Sequence, residues 1–405
     1  MDKPADDLTI WREGARELMP MVVELRRELH KFPELGLHLP ETTRRAREAL
    51  AGLDVEIVEG KTTSSMVVTL RGAQQGPTIL LRGDMDALPM PEDTDVAFKS
   101  QNENRMHACG HDSHTAMLAG AVHLLHRHRD KLNGNVKFLF QTGEEGYAGA
   151  RFVIEEGMLD AAPAPSAAFA IHISPNIPTG VIASKPGPLM AATDTIDIEV
   201  VGKGGHASQP HYTLDPIPVA CEIVTALQVF VTRRIDVFDP VVVTIARIEG
   251  GSTNNVIPES ASLLGTMRTF SDASREAVHA GVARVAGNVA RAHDCEAEVE
   301  IVPGFPVTVC DARATSFAER TLSDLFGPDA WSTMAAPIMG AEDFSYVLQK
   351  VPGAMVFLGV CPEGQQWKSA CPCHSNKMTL NESTLARGVA AHCAIAERFL
   401  GQGFG

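Results

Sequence analysis

The chain has 405 residues, of which 44% are hydrophobic and 21% charged, a composition typical of folded proteins rather than of disordered or collagen-like chains. Its length predicts two domains or one elaborated domain. The formal net charge of -15 argues against nucleic acids and anionic membranes as partners. No apolar run reaches the roughly 20 residues of a membrane helix, so we expect a small-molecule partner.

The N-terminus and the cysteines bear on the compartment. The first residues are acidic and lack the basic start and apolar core of a signal peptide. The eight cysteines are scattered along the chain, which favours reduced thiols, buried packing or metal binding over a disulfide framework. Both features predict a cytoplasmic protein.

Short β-rich runs alternate with helical patterns along the chain, after a helix predicted over residues 8–31. This alternation indicates an α/β fold with a mostly parallel sheet, because the apolar runs are typical of strands buried on both faces. The predicted strands cover residues 65–71, 77–82, 135–141, 167–173 and 354–360. The clearest helices cover residues 113–128, 148–158 and 381–400.

Residues 189–302 follow a different order. Strands at 195–201, 241–249, 260–268 and 296–301 combine with helices at 216–234 and 273–292 into the β-α-β-β-α-β pattern of ferredoxin-like domains. Pro/Gly-rich segments flank this region. We therefore predict a catalytic domain formed by residues 1–188 and 303–405, with an inserted α+β domain at 189–302.

The segment from His107 to His114 concentrates a thiol, three imidazoles and a carboxylate within eight residues, just before a predicted helix. Such side chains are typical metal ligands. Cys109 and His111 are two positions apart and cannot share one helix face, but an irregular loop can turn both toward one ion. The alternative is a surface loop with a buried cysteine and solvated histidines.

Two adjacent carboxylates, Glu144 and Glu145, follow a very apolar predicted strand and are flanked by glycines. Neighbouring side chains diverge in an extended segment. One glutamate could therefore bind a metal while the other handles the proton of a water molecule. Alternatively, the pair is solvated and stabilises the first turn of a helix.

Several single residues are candidates for the site because of their position along the chain. Asp84, Asp86 and His172 lie at or near the ends of predicted strands, and open α/β sheets build their sites at the carboxyl ends of strands. With His374, the candidate ligands are Cys109, His111, Glu145, His172 and His374. Five ligands favour two ions roughly 3.5–4 Å apart over one catalytic zinc with an open position. The alternative is one structural zinc with four ligands and no use for Glu144.

Ordered motifs along nearly the whole chain resemble those of the dinuclear metal amidohydrolases. This family includes aminoacylases, hippurate hydrolases and auxin-conjugate hydrolases, and it is related to the bacterial carboxypeptidases. Besides the segments around Cys109 and Glu144, the matching motifs are Leu29-His30-Lys31-Phe32-Pro33-Glu34, Arg82-Gly83-Asp84-Met85-Asp86-Ala87-Leu88-Pro89, Gly202-Lys203-Gly204-Gly205-His206-Ala207, Asn255-Val256-Ile257-Pro258, Arg268-Thr269-Phe270 and Met339-Gly340-Ala341-Glu342-Asp343-Phe344.

The resemblance implies two divalent metal ions per subunit, zinc, manganese, cobalt or nickel, held by the five candidate ligands. It implies Glu144 as general base and Asp86 as a residue that orients a ligand. It also implies that the inserted domain forms a lid and mediates a homodimer, possibly a tetramer.

The resemblance further implies that His206 reaches the partner subunit's active site and stabilises an oxyanion. Asn255 and Arg268 resemble residues that hold the substrate's carboxylate or carbonyl, for which a planar guanidinium is well suited. Without the resemblance, His206 would be interpreted as a loop histidine and Arg268 as part of a surface salt bridge.

The activity implied by the resemblance is hydrolysis of the amide in N-acyl amino acids, either hippurate-like or N-acetyl. Asp84 stands where the carboxypeptidase branch has a metal-binding histidine, which together with Cys109 places the chain on the aminoacylase side. Thr142-Gly143 and Asn376 depart from the family pattern and bear on the shape of the pocket. A dipeptidase or carboxypeptidase, and a non-enzymatic metal-binding dimerisation protein, are the alternatives; no Gly-x-Ser-x-Gly elbow of a serine hydrolase occurs.

Overall fold

The computed structural model describes residues 8–405; the acidic residues before them, to which the signal-peptide expectation refers, lie outside the described part. The helices are α1 (Thr9–Glu17), α2 (Met19–Lys31), α3 (Pro40–Ala49), α4 (His111–Arg127), α5 (Gly149–Glu155), α6 (Pro216–Arg234), α7 (Asp272–Ala292), α8 (Ala312–Phe326), α9 (Phe344–Leu348) and α10 (Leu385–Gln402). The strands are β1 (Glu56–Glu59), β2 (Met66–Arg71), β3 (Gln74–Asp84), β4 (Asn133–Gln141), β5 (Ala167–Ser174), β6 (Ile182–Ser184), β7 (Gly187–Met190), β8 (Ala192–Val201), β9 (Gly205–His206), β10 (Val242–Gly250), β11 (Val256–Ile257), β12 (Ser260–Thr269), β13 (Glu296–Pro303), β14 (Thr308–Cys310), β15 (Trp331–Thr333) and β16 (Gly353–Gly359).

The larger of two compact units takes the described chain up to Leu189 together with Val309–Ala336 and Asp343–Gly405. Its sheet has eight strands in the order β1-β2-β4-β3-β5-β16-β6-β15. The four middle strands, β4, β3, β5 and β16, pair in parallel, whereas β1, β2 and β6 join through antiparallel ladders. The predicted α/β fold with a mostly parallel sheet is confirmed.

A glycine allows β3 and α4 to approach closely beside the end of β3. A Cβ atom on Gly83 would lie 2.8 Å from the carbonyl oxygen of His114, which is too close for any residue with a side chain. Asp84, the next residue, is the last of β3 and is fully buried. The close approach therefore fixes the end of β3 against the first turns of α4.

The opening helix differs from the prediction. Instead of one helix over residues 8–31, α1 ends at Glu17 and α2 begins at Met19, with Pro20 in its first turn. Proline lacks an amide hydrogen, so it is tolerated in the first turn of a helix and disrupts a helix interior. The proline therefore explains why the helix is interrupted.

The second unit consists of Met190–Thr308 and Pro337–Glu342. Its antiparallel sheet has the strand order β10-β12-β8-β13, and α6 and α7 bury its inner face. Along β8, buried residues alternate with partly or fully exposed ones, as expected for a sheet covered on one side. The predicted ferredoxin-like pattern is confirmed.

Helix α6 is the one described helix whose length and hydropathy would allow it to cross a membrane. Its residues Val219, Ile223 and Leu227 pack in the core of the second unit. This packing is typical of the core helix of a globular unit, which passes the same test of length and hydropathy.

A buried carboxylate fastens α7 to β8 in the second unit. Asp194 Oδ2 accepts hydrogen bonds from Arg275 Nε at 2.9 Å and His279 Nε2 at 2.7 Å, and its Oδ1 accepts one from the Gly304 amide at 2.9 Å. Burial disfavours the charged carboxylate, but the bonds from Arg275 and His279 lower the pKa of Asp194 below its ordinary value. The charge of Asp194 is thus compensated within this unit.

Candidate metal centre

The candidate centre is built where parallel strands end. Asp84 and Gln141 lie opposite each other as the last residues of β3 and β4, and His172 lies near the end of the neighbouring strand β5. Glu144 and Glu145 follow β4 by three and four residues. Because parallel strands end at a common edge, this topology gathers residues that are distant in sequence.

A left-handed glycine turns the histidine-rich segment into the site. Gly110 has φ +82 and directly precedes α4, so Cys109 lies before the turn and His111 is the first helical residue. A Cβ atom on Gly110 would lie 2.5 Å from the side chain of Ile173. Cys109, His111 and His172 thereby bring their donor atoms within 4.8 Å of one another.

Two further groups overlap the first. The donor atoms of Cys109, Glu145 and His374 also lie within 4.8 Å of one another, as do those of His111, Glu144 and Glu145. All five predicted ligands are therefore brought together, with Glu144 beside them. Cys109, His111 and Glu145 each belong to two of the three groups. Overlapping groups of ligands are a suitable arrangement for two neighbouring cations.

The segment that carries His374 adopts an unusual backbone conformation. The His374 amide donates to the Ala108 carbonyl at 2.8 Å, which joins this segment to the residue before Cys109. His374 itself has φ +67, an uncommon conformation for a residue with a side chain. Such conformations cluster at functional sites, where the surrounding structure enforces them.

Hydrogen bonds set the tautomer of His172. Its Nδ1 lies 2.6 Å from the Ile173 carbonyl oxygen and therefore carries the proton, while Nε2 lies 3.4 Å from the Cys109 sulfur. Burial lowers the pKa of His172 well below its ordinary value, so the imidazole is neutral. A neutral ring with a free lone pair on Nε2 is the form in which histidine binds metals.

Several potential metal-ligating atoms in this centre are buried and lack hydrogen bonds to any described residue, which bears on whether cations fit there. His111 is fully buried, and in the described part of the chain neither ring nitrogen has a hydrogen-bond partner. Glu145 Oε1 is buried without a hydrogen bond there too, and it lies 3.3 Å from His374 Nε2. Buried polar atoms are nearly always satisfied. A thiol, three imidazoles and a carboxylate arranged in this way fit divalent metal ions.

The electrostatics also favour positive charge. Burial opposes protonation of His111, but the carboxylates of Asp84 and Asp86 raise its pKa to about 10. The neighbouring Glu145 likewise raises the pKa of His374. Both shifts show that the carboxylates create a strongly negative potential at the donor atoms, which bound cations would neutralise.

Asp86 fixes the directions of the two glutamates. Its Oδ1 accepts the Glu144 amide at 3.0 Å and its Oδ2 accepts the Glu145 amide at 2.9 Å. Holding two successive amides fixes the backbone from which both glutamate side chains reach the donor cluster. Asp86 Oδ1 also lies 3.6 Å from His111 Nδ1.

His114 has a structural role that its sequence position alone does not predict. Its Nδ1 bonds Asp84 Oδ1 at 2.5 Å, and its Nε2 accepts the Ile173 amide at 2.8 Å. Both nitrogens are thus occupied, so His114 has no lone pair for a cation although it lies close to His111. Arg82 Nη1 contacts the other Asp84 oxygen at 2.6 Å. Asp84 is therefore engaged by Arg82 and His114.

The remaining predicted residues belong to the second unit. His206 in β9 pairs with Val256 of β11, and the Asn255 carbonyl accepts the Ala207 amide at 3.1 Å. His206 and Asn255 are thus close together. Arg268 is near the other end of β12, which begins at Ser260 just after β11. At about 3.3 Å per residue, roughly 25 Å of strand separates Arg268 from Ser260.

Comparisons with known proteins identify a family and several relatives. The profile of Peptidase family M20/M25/M40 matches residues 80–398. Thermostable carboxypeptidase 1 of Saccharolobus solfataricus is 37% identical over 96% of this chain and 98% of its own length. N-acetylcysteine deacetylase of Bacillus subtilis is 38% identical over 90% and 93%. The crystal structure of the Bacillus subtilis YXEP protein, described as a dinuclear metal binding peptidase from the M20 family, is 34% identical over 95% and 99%, with a TM-score of 0.81.

We predict that metal-free protein takes up two zinc ions per chain and becomes more stable. Ligand binding to the folded state alone adds about 2.7 kcal/mol at a free concentration of 100 times the dissociation constant. Calorimetric titration gives the stoichiometry and thermal unfolding the stabilisation.

His111→Ala should lose at least one ion, whereas His38→Ala, which removes an exposed imidazole, should retain both. A wild-type stoichiometry below two, or full metal content in His111→Ala, would contradict the prediction.

Proposed function

We propose that this chain, which belongs to Peptidase family M20/M25/M40, is a metal-dependent amidohydrolase that cleaves N-acyl amino acids into a carboxylic acid and a free amino acid. The observation that carries this proposal is the convergence of five potential metal ligands beside a sixth side chain, Glu144, whose carboxylate lies within 4.8 Å of the ligand atoms of His111 and Glu145. Similarity to a deacetylase of N-acetylcysteine supports the substrate class.

The proposed ligands of two divalent cations are Cys109, His111, Glu145, His172 and His374. A thiolate and three imidazoles favour zinc, cobalt or nickel, and manganese is also compatible with the carboxylate. When bound, such ions polarise an amide carbonyl and lower the pKa of water.

Glu144 acts as general base in this proposal. It takes a proton from the attacking water and passes it to the leaving nitrogen. The Asp86 contact to its amide fixes its backbone, and its Oε2 lies 3.9 Å from His111 Nε2. Glu144 is 6% exposed, so it is largely shielded from bulk water, and its carboxylate lies within 4.8 Å of the ligand atoms of His111 and Glu145.

His206 provides the donor for the oxyanion. The Ser208 amide donates to His206 Nδ1 at 3.1 Å, so in the neutral ring the proton resides on Nε2. The side chain is exposed. An N–H group held in one tautomer is suited to stabilise the negative charge that develops on the carbonyl oxygen.

A second copy of the chain supplies this histidine. Arg268, the proposed carboxylate ligand, and His206 with Asn255 lie at opposite ends of the second unit. One small substrate cannot contact both ends of a sheet roughly 25 Å long. We therefore propose a homodimer through the second unit, in which His206 acts on the partner's substrate. Exposed apolar side chains on α6 and on the edge strand β10, such as Val229 and Ile248, are suited to such an interface.

Carboxypeptidase activity is the second candidate, supported by similarity to the thermostable carboxypeptidase. The C-terminal residue of a peptide is itself an N-acyl amino acid with a free carboxylate. The two activities would share the ions, Glu144 and Arg268, and they would differ in the size of the acyl group. Asp84, bound by Arg82 and His114, stands where the carboxypeptidase branch has a metal-binding histidine, which favours the first candidate.

We expect the metal-loaded protein to hydrolyse N-acetyl or N-benzoyl amino acids with a higher kcat/KM than dipeptides and longer peptides. Removal of metal by a chelator should abolish turnover, and added zinc, manganese, cobalt or nickel should restore it. Faster cleavage of peptides would favour the carboxypeptidase. No turnover of any compound with any ion would refute hydrolysis and leave a metal-binding protein.

Glu144→Gln should reduce kcat by about 10²–10⁴, since general acid–base catalysis contributes factors of that size. The metal content should remain unchanged because Glu144 is not a proposed ligand. Glu103→Gln, an exposed glutamate, is the matched control and should match the wild type. Retained turnover in Glu144→Gln would show that another group moves the proton.

Mixing inactive subunits tests the dimer. Glu144→Gln and His206→Ala should each be inactive as pure proteins. Random reassembly makes half of the dimers mixed, and one of the two sites in each mixed dimer is intact, so about a quarter of wild-type activity should return. No recovery from a verified mixture of dimers would mean that His206 acts within its own chain or not at all.

A further inference from the structure

We propose that Thr193 and Thr266 are positioning residues that fix Arg268 and present one edge of its guanidinium to a substrate carboxylate. The inference rests on the proposed function and specifies it. The enzyme would require a free carboxylate on the amino acid part, and its KM would depend on two hydroxyl groups that do not touch the substrate.

The register of the sheet brings the three side chains together. Arg268 on β12 is directly opposite Thr193 on β8, and Thr266 precedes Arg268 by two residues. Side chains two apart on a strand point to the same face. All three therefore lie on the sheet face opposite to the helices, where β8 residues are at least partly exposed.

One nitrogen of Arg268 is fully occupied. Nη1 donates to the hydroxyl oxygens of Thr193 and Thr266 and lies 2.9 Å from the Met267 carbonyl oxygen. Nη1 carries two hydrogens, so these three acceptors take up both. The guanidinium is planar and rigid, so anchoring one nitrogen sets the orientation of the whole group.

The hydroxyl of Thr266 is itself oriented. Its Oγ1 donates to the Asp194 carbonyl oxygen at 3.2 Å, which leaves its lone pairs for Arg268. A valine at this position would keep the shape of the side chain and remove both bonds.

The opposite edge of the guanidinium is available. Among the described residues, Nε and Nη2 of Arg268 have no hydrogen-bond partner, and no carboxylate pairs with this arginine. The nearest acidic residue along the strands, Asp194, is already paired with Arg275 and His279. Burial lowers the pKa of Arg268 below its ordinary value, and the charge of Asp194 offsets this effect only in part.

This geometry specifies the ligand. The Nε–H and one Nη2–H group point in parallel and match the two oxygens of a carboxylate. A neutral carboxamide has only one accepting oxygen. Its NH2 group would face an N–H group of Arg268, and two donors cannot form a hydrogen bond. The free edge of Arg268 therefore favours an N-acyl amino acid over its carboxamide.

The test compares Thr193→Val and Thr266→Val with the wild type, all loaded with metal. The fastest N-acyl amino acid from the substrate panel is measured beside its carboxamide, as a substrate or as a competitive inhibitor. Each valine variant should raise the KM of the carboxylate compound about tenfold, the factor expected for one lost hydrogen bond to a charged group. The kcat should change less than twofold, and the KM or inhibition constant of the carboxamide should not change.

Thr195→Val is the matched control, because Thr195 is on the same face opposite Thr266 and has no hydrogen bond to Arg268. Thr266→Ser keeps the hydroxyl and should restore the wild-type KM. Thermal unfolding identifies any variant that fails to fold, and Thr193→Val and Thr266→Val test the same arginine independently.

Two outcomes would overturn the inference. Valine variants that behave like Thr195→Val would show that the hydroxyls do not position Arg268. An equal rise in the constants of the carboxylate compound and the carboxamide would indicate a general structural effect. Both outcomes differ from failure of the proposed function, in which the wild-type protein hydrolyses neither compound.

Discussion

Within residues 8–405, the buried ring nitrogens of His111 and Oε1 of Glu145 have no hydrogen-bond partner, and the rest of the candidate centre is built around them. The donor atoms of Cys109, His111 and Glu145 face one another at the edge of the sheet, and the nearby carboxylates make their surroundings negative. Such an arrangement is costly in an apolar interior unless cations occupy it. The parallel strands, the left-handed turn at Gly110 and the missing side chain at Gly83 all serve to hold these atoms in place.

Two kinds of charged residue surround the donor atoms, and they have different tasks. Asp84 is engaged by Arg82 and His114, so it belongs to the frame and takes no part in the proposed chemistry. Asp86 instead accepts the backbone amides of Glu144 and Glu145 and borders His111. In the second unit, Asp194 pairs directly with Arg275 and acts on Arg268 only at longer range. In each case a buried carboxylate determines which neighbouring cation or imidazole remains available.

The sequence predicts the strands that are buried on both faces, because long apolar runs such as those of β4 and β16 are unmistakable. It does not predict β1, β6 or β15, which have four residues or fewer and lack a periodic pattern. The candidate ligands were found from residue type and position. The interactions of His114, Thr193 and Thr266 were not, because their partners lie on other strands and depend on register. The helical stretch predicted over residues 8–31 is helical in the structure but divides into α1 and α2, with Pro20 in the first turn of α2.

Asp86 accepts hydrogen bonds from the amides of Glu144 and Glu145. This contact places no requirement on the side chains of the residues before them. These hydrogen bonds involve only main-chain amides and do not depend on neighbouring side chains. The backbone positions of the two glutamates should therefore not change when Thr142 is replaced. In this chain the Thr142 amide donates to the Ser65 hydroxyl oxygen at 3.1 Å. Proline has no amide hydrogen and could not make this bond. Gly143 is less free, because its φ is +73 and a Cβ would strike Leu37. Substitutions at position 142 can therefore alter the surroundings of Ser65 while both backbone contacts of Asp86 remain.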